Sequence, residues 1–130
     1  LFASPSYLEA HGTPSNLDQL AQAQCLSYLS PLWRFRDGSS ADRIIEIEPA
    51  LLTGSNEILR TATVQGRGIS YAFKEVFESD LAKGQVVEIL TSETRHSGLD
   101  ISLLMPATRH LPLRARRFID ALEDHFRNAL

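Results

Sequence analysis

Gly66 and Gly68 stand one residue apart in QGRGIS. Phosphate-cradling loops use this spacing because glycine lets the backbone come close to an anion. In a dinucleotide fingerprint the third glycine falls three residues further on, and here that position is Tyr71. Such a site also runs strand, glycine turn, helix, so that the helix N-terminus meets the charge. Here a helical stripe of Ile58, Leu59 and Ala62 precedes the glycines, and an apolar run from Ile69 to Phe73 follows them. The order favours another reading over a phosphate loop. Gly66 stops a helix, where a left-handed residue is wanted, and Gly68 makes a tight return to a sheet.

The other chemistry-bearing residues form no coherent catalytic set. His11, His96, His110 and His125 are scattered without ligand spacing, and the lone Cys25 cannot complete a usual zinc set, so no metal site and no cofactor are expected. Cys25 has no assignable activating partner and reads as a buried strand cysteine rather than a nucleophile. No Gly-X-Ser-X-Gly elbow is present. Glu46 and Glu48 point the same way on one strand, as a carboxylate pair would, but a solvated strand face accounts for them better. Arg109, Arg114, Arg116 and Arg117 form the basic cluster. It lacks interleaved aromatics, because Phe118 belongs to an apolar stripe, so a solvated face is preferred to a nucleic-acid patch. The net charge of −3 points the same way, since nucleic-acid-binding domains are usually basic.

What remains is Thr53-Gly54-Ser55-Asn56, a run of hydroxyls and an amide just ahead of the Ile58 stripe. At a helix N-terminus these groups and the free backbone N–H groups suit a carboxylate or another small polar anion. Ser55 or Asn56 can equally be a plain helix cap.

The elements that must position these residues alternate between helix and strand. Ser4 can cap and Pro5 can open a first helix that Gly12-Thr13-Pro14 stops, and Ser15 or Asn16 can cap a short second helix through Leu17, Leu20 and Ala21. Cys25 to Leu29 reads as an apolar strand. Trp33 and Phe35 alternate with Arg34 and Arg36, and Ile45 and Ile47 with Glu46 and Glu48, each pattern giving a strand with one wet face. Asp37-Gly38 marks the turn between them. Lys74 to Ala82 is expected to be helical with Val76, Phe77 and Leu81 inward. A strand from Gln85 to Leu90, a polar loop from Thr91 to Gly98 and an apolar strand from Leu99 to Met105 follow. Pro112 opens a long helix striped by Ala115, Phe118, Ile119, Leu122 and Phe126. The alternation indicates an α/β fold, and open α/β sheets bind ligands at the C-terminal ends of their strands.

A chain of 130 residues, 43% hydrophobic and 22% charged, is long enough for one domain or two small lobes. No apolar run approaches the roughly 20 residues of a membrane span, so no membrane partner is expected. No cationic segment followed by an apolar core marks a leader, and a single cysteine fits a reducing cytoplasm. The chain opens on Leu1-Phe2-Ala3, which reads as the cut end of a strand and points to a fragment.

Five stretches, in order, resemble the C-terminal part of LysR-type transcriptional regulators: ASPSYLEAHGTPSNLDQLAQAQCLSY, the tryptophan strand WRF, QGRGIS, DLAKGQVVEIL and RARRFIDALEDHF. Each is weak alone, and together they span nearly the whole chain. The resemblance implies a non-catalytic effector-binding domain of the periplasmic-binding-protein type, with two α/β lobes and a cleft between them. It implies crossings near Gln24 and Gly98, with residues 24–98 as lobe II and residues 1–23 and 99–130 as part of lobe I. It implies a small-molecule effector, a homo-oligomer, and DNA contact only through an N-terminal helix-turn-helix that this stretch lacks, along with the first half of lobe I. The effector-binding residues it leaves are Thr53, Gly54, Ser55 and Asn56, then Gly68 and Ile69 at the following turn. One departure stands out: the family pattern LAxHxC has a histidine where this chain has Ala23. A solute-binding protein of the same fold is the alternative, and a small α/β enzyme a third reading.

Overall fold

The structure, a computed structural model, describes residues 1–36, 42–91, 95–96, 104 and 112–129. The chain forms two compact units, Leu1–Gly98 and Leu99–Leu130.

In the first unit a short strand, β1 (Phe2–Ala3), leads into α1 (Pro5–His11). The Ser4 hydroxyl accepts the Tyr7 N–H, and Pro5 occupies the first turn, where its missing N–H costs nothing. Asn16 caps α2 (Leu17–Gln22) by accepting the Gln19 N–H. Strand β2 (Cys25–Tyr28) then starts the sheet proper. A hairpin of β3 (Leu32–Arg36) and β4 (Asp42–Glu46) follows, then β5 (Pro49–Thr53), α3 (Asn56–Val64) and β6 (Ile69–Ser70). A 3-10 turn (Lys74–Phe77) runs into α4 (Glu78–Ala82), and β7 (Val87–Glu88) and β8 (Arg95–His96) end the unit.

Five strands make one sheet in the order β5-β2-β6-β1-β7. β2 lies parallel to both β5 and β6, while β1 runs antiparallel to β6 and β7. The second sheet, β4-β3-β8, is antiparallel. Trp33, Phe35, Ile45 and Ile47 turn inward from it and share a core with Tyr7, Leu20, Cys25, Ile69 and Ile89. Phe2, Phe77 and Val86 form a second cluster, with the two phenyl rings stacked 4.8 Å apart. In this interior the Trp33 indole donates to Ser27 Oγ (2.8 Å), and at its exposed margin the Tyr71 hydroxyl donates to the Arg34 carbonyl (2.7 Å).

Several expectations change. The break near Gln24 does not divide the structure, because Phe2 pairs with both Ser70 and Glu88 in the sheet that holds β2, and the Tyr7 hydroxyl accepts the Gln24 N–H. Residues 1–23 therefore belong with 24–98. β5 is a strand that the sequence pattern did not mark, and Pro49 is tolerated as the first residue of this edge strand. The expected polar loop contains β8, which pairs with β3. The strand after Gly68 is two residues long, not five. On α3 the inward residues are Leu59 and Thr63, while Ile58 is exposed. The Asp37-Gly38 turn lies outside the described residues, as does the expected strand from Leu99 to Met105 except for Leu104, which is exposed and in no strand.

The second unit contributes α5 (Leu113–Ala129). Ala115, Ile119 and Leu122 are half-buried, and Phe118 and Phe126 are exposed, so the covered stripe is narrower than expected. Arg114, Arg116 and Arg117 are exposed.

Cys25 is buried and its thiol donates to the Leu20 carbonyl (3.4 Å). Burial pushes the thiol from 9.0 up to about 11, which leaves it protonated and unreactive at neutral pH. Below pH 9 the folded and unfolded chains both hold the proton. Between about 9 and about 11 the unfolded chain releases it and the folded chain keeps it, so stability falls as pH rises. A two-unit shift corresponds to roughly 2–3 kcal/mol. Thermal melts at pH 8 and 10.5 should show a steeper alkaline loss for the parent than for Cys25→Ala; equal losses would contradict this.

Candidate functional site

The turn from β5 into α3 is built around Thr53 and Ser55. Thr53 pairs with Tyr28 at the end of β2, and its carbonyl accepts the Leu29 N–H (2.9 Å). Its hydroxyl accepts the Ser55 N–H (3.1 Å). Ser55 is the N-cap of α3: its hydroxyl faces the Ile58 N–H at a long 3.4 Å, and its carbonyl accepts the Leu59 N–H (3.1 Å). These bonds leave the Asn56 and Glu57 N–H groups without a protein partner among the described residues. Thr53, Gly54, Ser55 and Asn56 thus sit together at the C-terminal ends of two parallel strands. Both readings of Ser55 hold at once: it caps the helix, and it stands at a helix end with free donors.

Two features of this turn were not read in the sequence. Leu29 is exposed, adopts φ +61°, and has its Cδ2 3.4 Å from where a Gly54 Cβ would stand. With exposed Leu52 and Ile58 it gives the turn an apolar shoulder. Glu57 adds a carboxylate in the first turn of α3, which complements the helix dipole and repels an anionic ligand. No pattern in the sequence marks Leu29 as left-handed, because leucine has no local preference for that region.

The structure does not bring Gly68 and Ile69 to this turn. Cys25, the first residue of β2, lies opposite Ile69, and Tyr28, the last, lies opposite Thr53. The two candidate groups are therefore at opposite ends of the sheet, separated by the nine residues of α3, about 13 Å. Ile69 is fully buried and its N–H donates to the Gln24 carbonyl (2.8 Å). Gly68 adopts φ +155°, and a Cβ there would lie 2.4 Å from that same carbonyl oxygen. Gly66 is the helix stop: at φ +73° it donates to the Thr63 carbonyl while Arg67 N–H reaches back to Ala62, a Schellman closure. The Gly-X-Gly pair thus serves a helix end and a close backbone approach.

A separate depression of about 500 Å3 opens between the ends of α1 and α2, against Tyr7, His11, Gln19, Gln22, Ala23 and Gln24. Among the described residues no three His, Cys, Asp or Glu side chains are placed to hold a metal ion, and no helix is long and apolar enough to cross a membrane.

The chain matches the LysR substrate binding domain over residues 1–127. It is 30% identical over 134 aligned residues to the HTH-type transcriptional regulator CrgA of Neisseria meningitidis serogroup C (strain 8013), covering 100% of this chain and 44% of that protein. It is 27% identical over 128 residues to the HTH-type transcriptional regulator PtxR of Pseudomonas aeruginosa, covering 95% of this chain and 40% of that protein. The chain thus spans less than half the length of these relatives, which are named as regulators and not as enzymes. Among solved structures, the CrgA regulatory domain from Neisseria meningitidis superposes with a TM-score of 0.62 at 31% identity, over 72% of this chain and 47% of that one. The regulatory domain of AphB from Vibrio vulnificus, at 21% identity, shares the fold over 95% of this chain and 62% of that one, with a TM-score of 0.65. The α/β, periplasmic-binding-protein-like class expected from the strand and helix order agrees with these matches, and the chain belongs to the LysR substrate-binding-domain family of transcriptional regulators.

Proposed function

We propose that this chain is the ligand-sensing part of a bacterial LysR-type regulator. It binds a small polar or anionic effector in a cleft between two lobes, and so biases DNA binding by a helix-turn-helix elsewhere in the protein. In this reading Leu1–Gly98 forms one lobe, and the regulator acts as a cytoplasmic homo-oligomer. The observation that carries the site is the β5–α3 turn, where Thr53, Ser55 and Asn56 cluster beside unpaired helix N–H groups at strand C-termini. Glu57 and Leu29 narrow the ligand toward one that also donates a hydrogen bond and offers an apolar edge. An effector shifts the regulator only through a difference in affinity for its two arrangements, so contacts at this turn must differ between them.

Ser55→Ala should cost about 1 kcal/mol of stability, as the loss of a cap does. In the full-length regulator, Ser55→Ala and Asn56→Ala should weaken the response to its effector about tenfold, more than that stability loss explains. A reporter titration against small carboxylates and hydroxy acids, with thermal stability recorded in parallel, measures both. An unchanged response in both variants would place the effector away from this turn.

A further inference from the structure

The depression between α1 and α2 lies wholly within the first unit and is unlike the rest of the surface. The chain is 22% charged, yet none of the residues lining this depression is an Asp, Glu, Lys or Arg. One wall is the stacked pair of Tyr7 and His11 rings, 4.4 Å apart and 16° from parallel. That pair is fixed from two sides. The Tyr7 hydroxyl accepts the Gln24 N–H (3.0 Å), and His11 Nδ1–H donates to the Tyr7 carbonyl (3.1 Å). Gln19, Gln22 and Gln24 line it as well. Gln19 spends its oxygen on the Ser15 N–H (2.8 Å) and hydroxyl (3.0 Å), leaving its NH2 to donate. The Gln22 and Gln24 side chains take no bond from the protein among the described residues. Ala23 lines the depression at the position where the family pattern has a histidine.

We propose that this depression binds a small, neutral, planar molecule with an amide edge (a carboxamide, a lactam or the edge of a nucleobase), independently of the β5–α3 turn. The lining holds no carboxylate, ammonium or guanidinium for an ion to pair with. An amide edge matches a set of glutamine donors and acceptors, and a flat ring matches the exposed His11 ring, which the buried Tyr7 ring backs.

Saturation-transfer NMR on the intact protein with nicotinamide as the probe tests this, with nicotinate as its charged counterpart on the same ring. Saturable nicotinamide binding with a Kd of about 1 mM is expected, and nicotinate should bind about tenfold more weakly. Ala23→His, which puts the residue the family carries into the lining, should weaken nicotinamide about tenfold. Gln24→Ala, which keeps the backbone bond to Tyr7, should weaken it about threefold. Ser55→Ala should leave it unchanged. Absence of saturable binding, equal binding of nicotinate, indifference to both Ala23→His and Gln24→Ala, or loss in Ser55→Ala would each overturn the proposal. None of these results bears on whether the effector response depends on the β5–α3 turn.

Discussion

Gly68→Ala should lose about 3 kcal/mol of stability or more, the first of two large losses that this structure implies. The added methyl would lie 2.4 Å from the Gln24 carbonyl oxygen and 3.1 Å from the Leu26 side chain, at a φ of +155° that L side chains rarely adopt. The neighbour that would have to move is backbone, and it is not free to do so. The same carbonyl accepts the Ile69 N–H, and the Gln24 N–H is held by the Tyr7 hydroxyl. Relief of the clash would therefore part β6 from β2, or α1 from both. Urea unfolding of the variant against the parent is the measurement. A loss below about 0.5 kcal/mol, the range of an ordinary surface change, would show that the approach is not tight. The same experiment separates two jobs for Gly68: a ligand contact would leave stability intact and weaken binding.

The second large effect concerns the pair that ties α3 to α4. Arg60 Nε and Nη2 donate to the two Asp80 carboxylate oxygens at 2.5 and 2.6 Å. The two partners are unequally buried: the Asp80 side chain is 1% exposed and that of Arg60 39%. That asymmetry sets the order of the mutants. Without its partner the Asp80 carboxylate has no water to turn to, and an unpaired buried charge costs about 3 kcal/mol. Arg60 without Asp80 can turn to solvent. Arg60→Ala should therefore destabilise more than Asp80→Ala, and the double variant should be more stable than Arg60→Ala alone. Thermal melts of the three variants decide it, and a double variant less stable than Arg60→Ala would refute the argument. Because Arg60 lies one turn after Ser55 on α3, the pair also holds the helix that carries the proposed effector turn.

How much of this could be read from residues alone depends on how local each signal is. Both helix starts were legible, because Ser4 and Asn16 act through bonds three residues away. So was the helix stop at Gly66, since the left-handed position is a property of one residue. The alternation of Trp33 and Phe35 with Arg34 gave the dry and wet faces of β3 directly. What was not legible rests on distant partners. β8 is two residues of polar sequence made into a strand by pairing with Phe35 and Arg36 about sixty residues earlier. β1 belongs with β2 only because Ser70 and Glu88 come to lie on either side of Phe2. For the proposed site, the cluster from Thr53 to Asn56 stands out in the sequence because caps and ligand donors are the same residue types. Gly68 and Ile69 came only from the family resemblance, as the turn that follows, and a helix carries the chain to the far end of the sheet before it reaches them.

The place of β1 has a consequence for how the chain is made. Phe2 leaves the ribosome before its partners Ser70 and Glu88, which follow 68 and 86 residues later. At synthesis rates of about 5–20 residues per second, the apolar N-terminal strand waits roughly 4–17 s before both neighbours exist. During that interval β2 and β5 can already pair beside each other, and the first strand must afterwards be inserted between two later ones. Closure of the sheet is therefore a late, long-range step in biogenesis. A nascent chain stalled before residue 88 would present Phe2 to chaperones rather than to its own core.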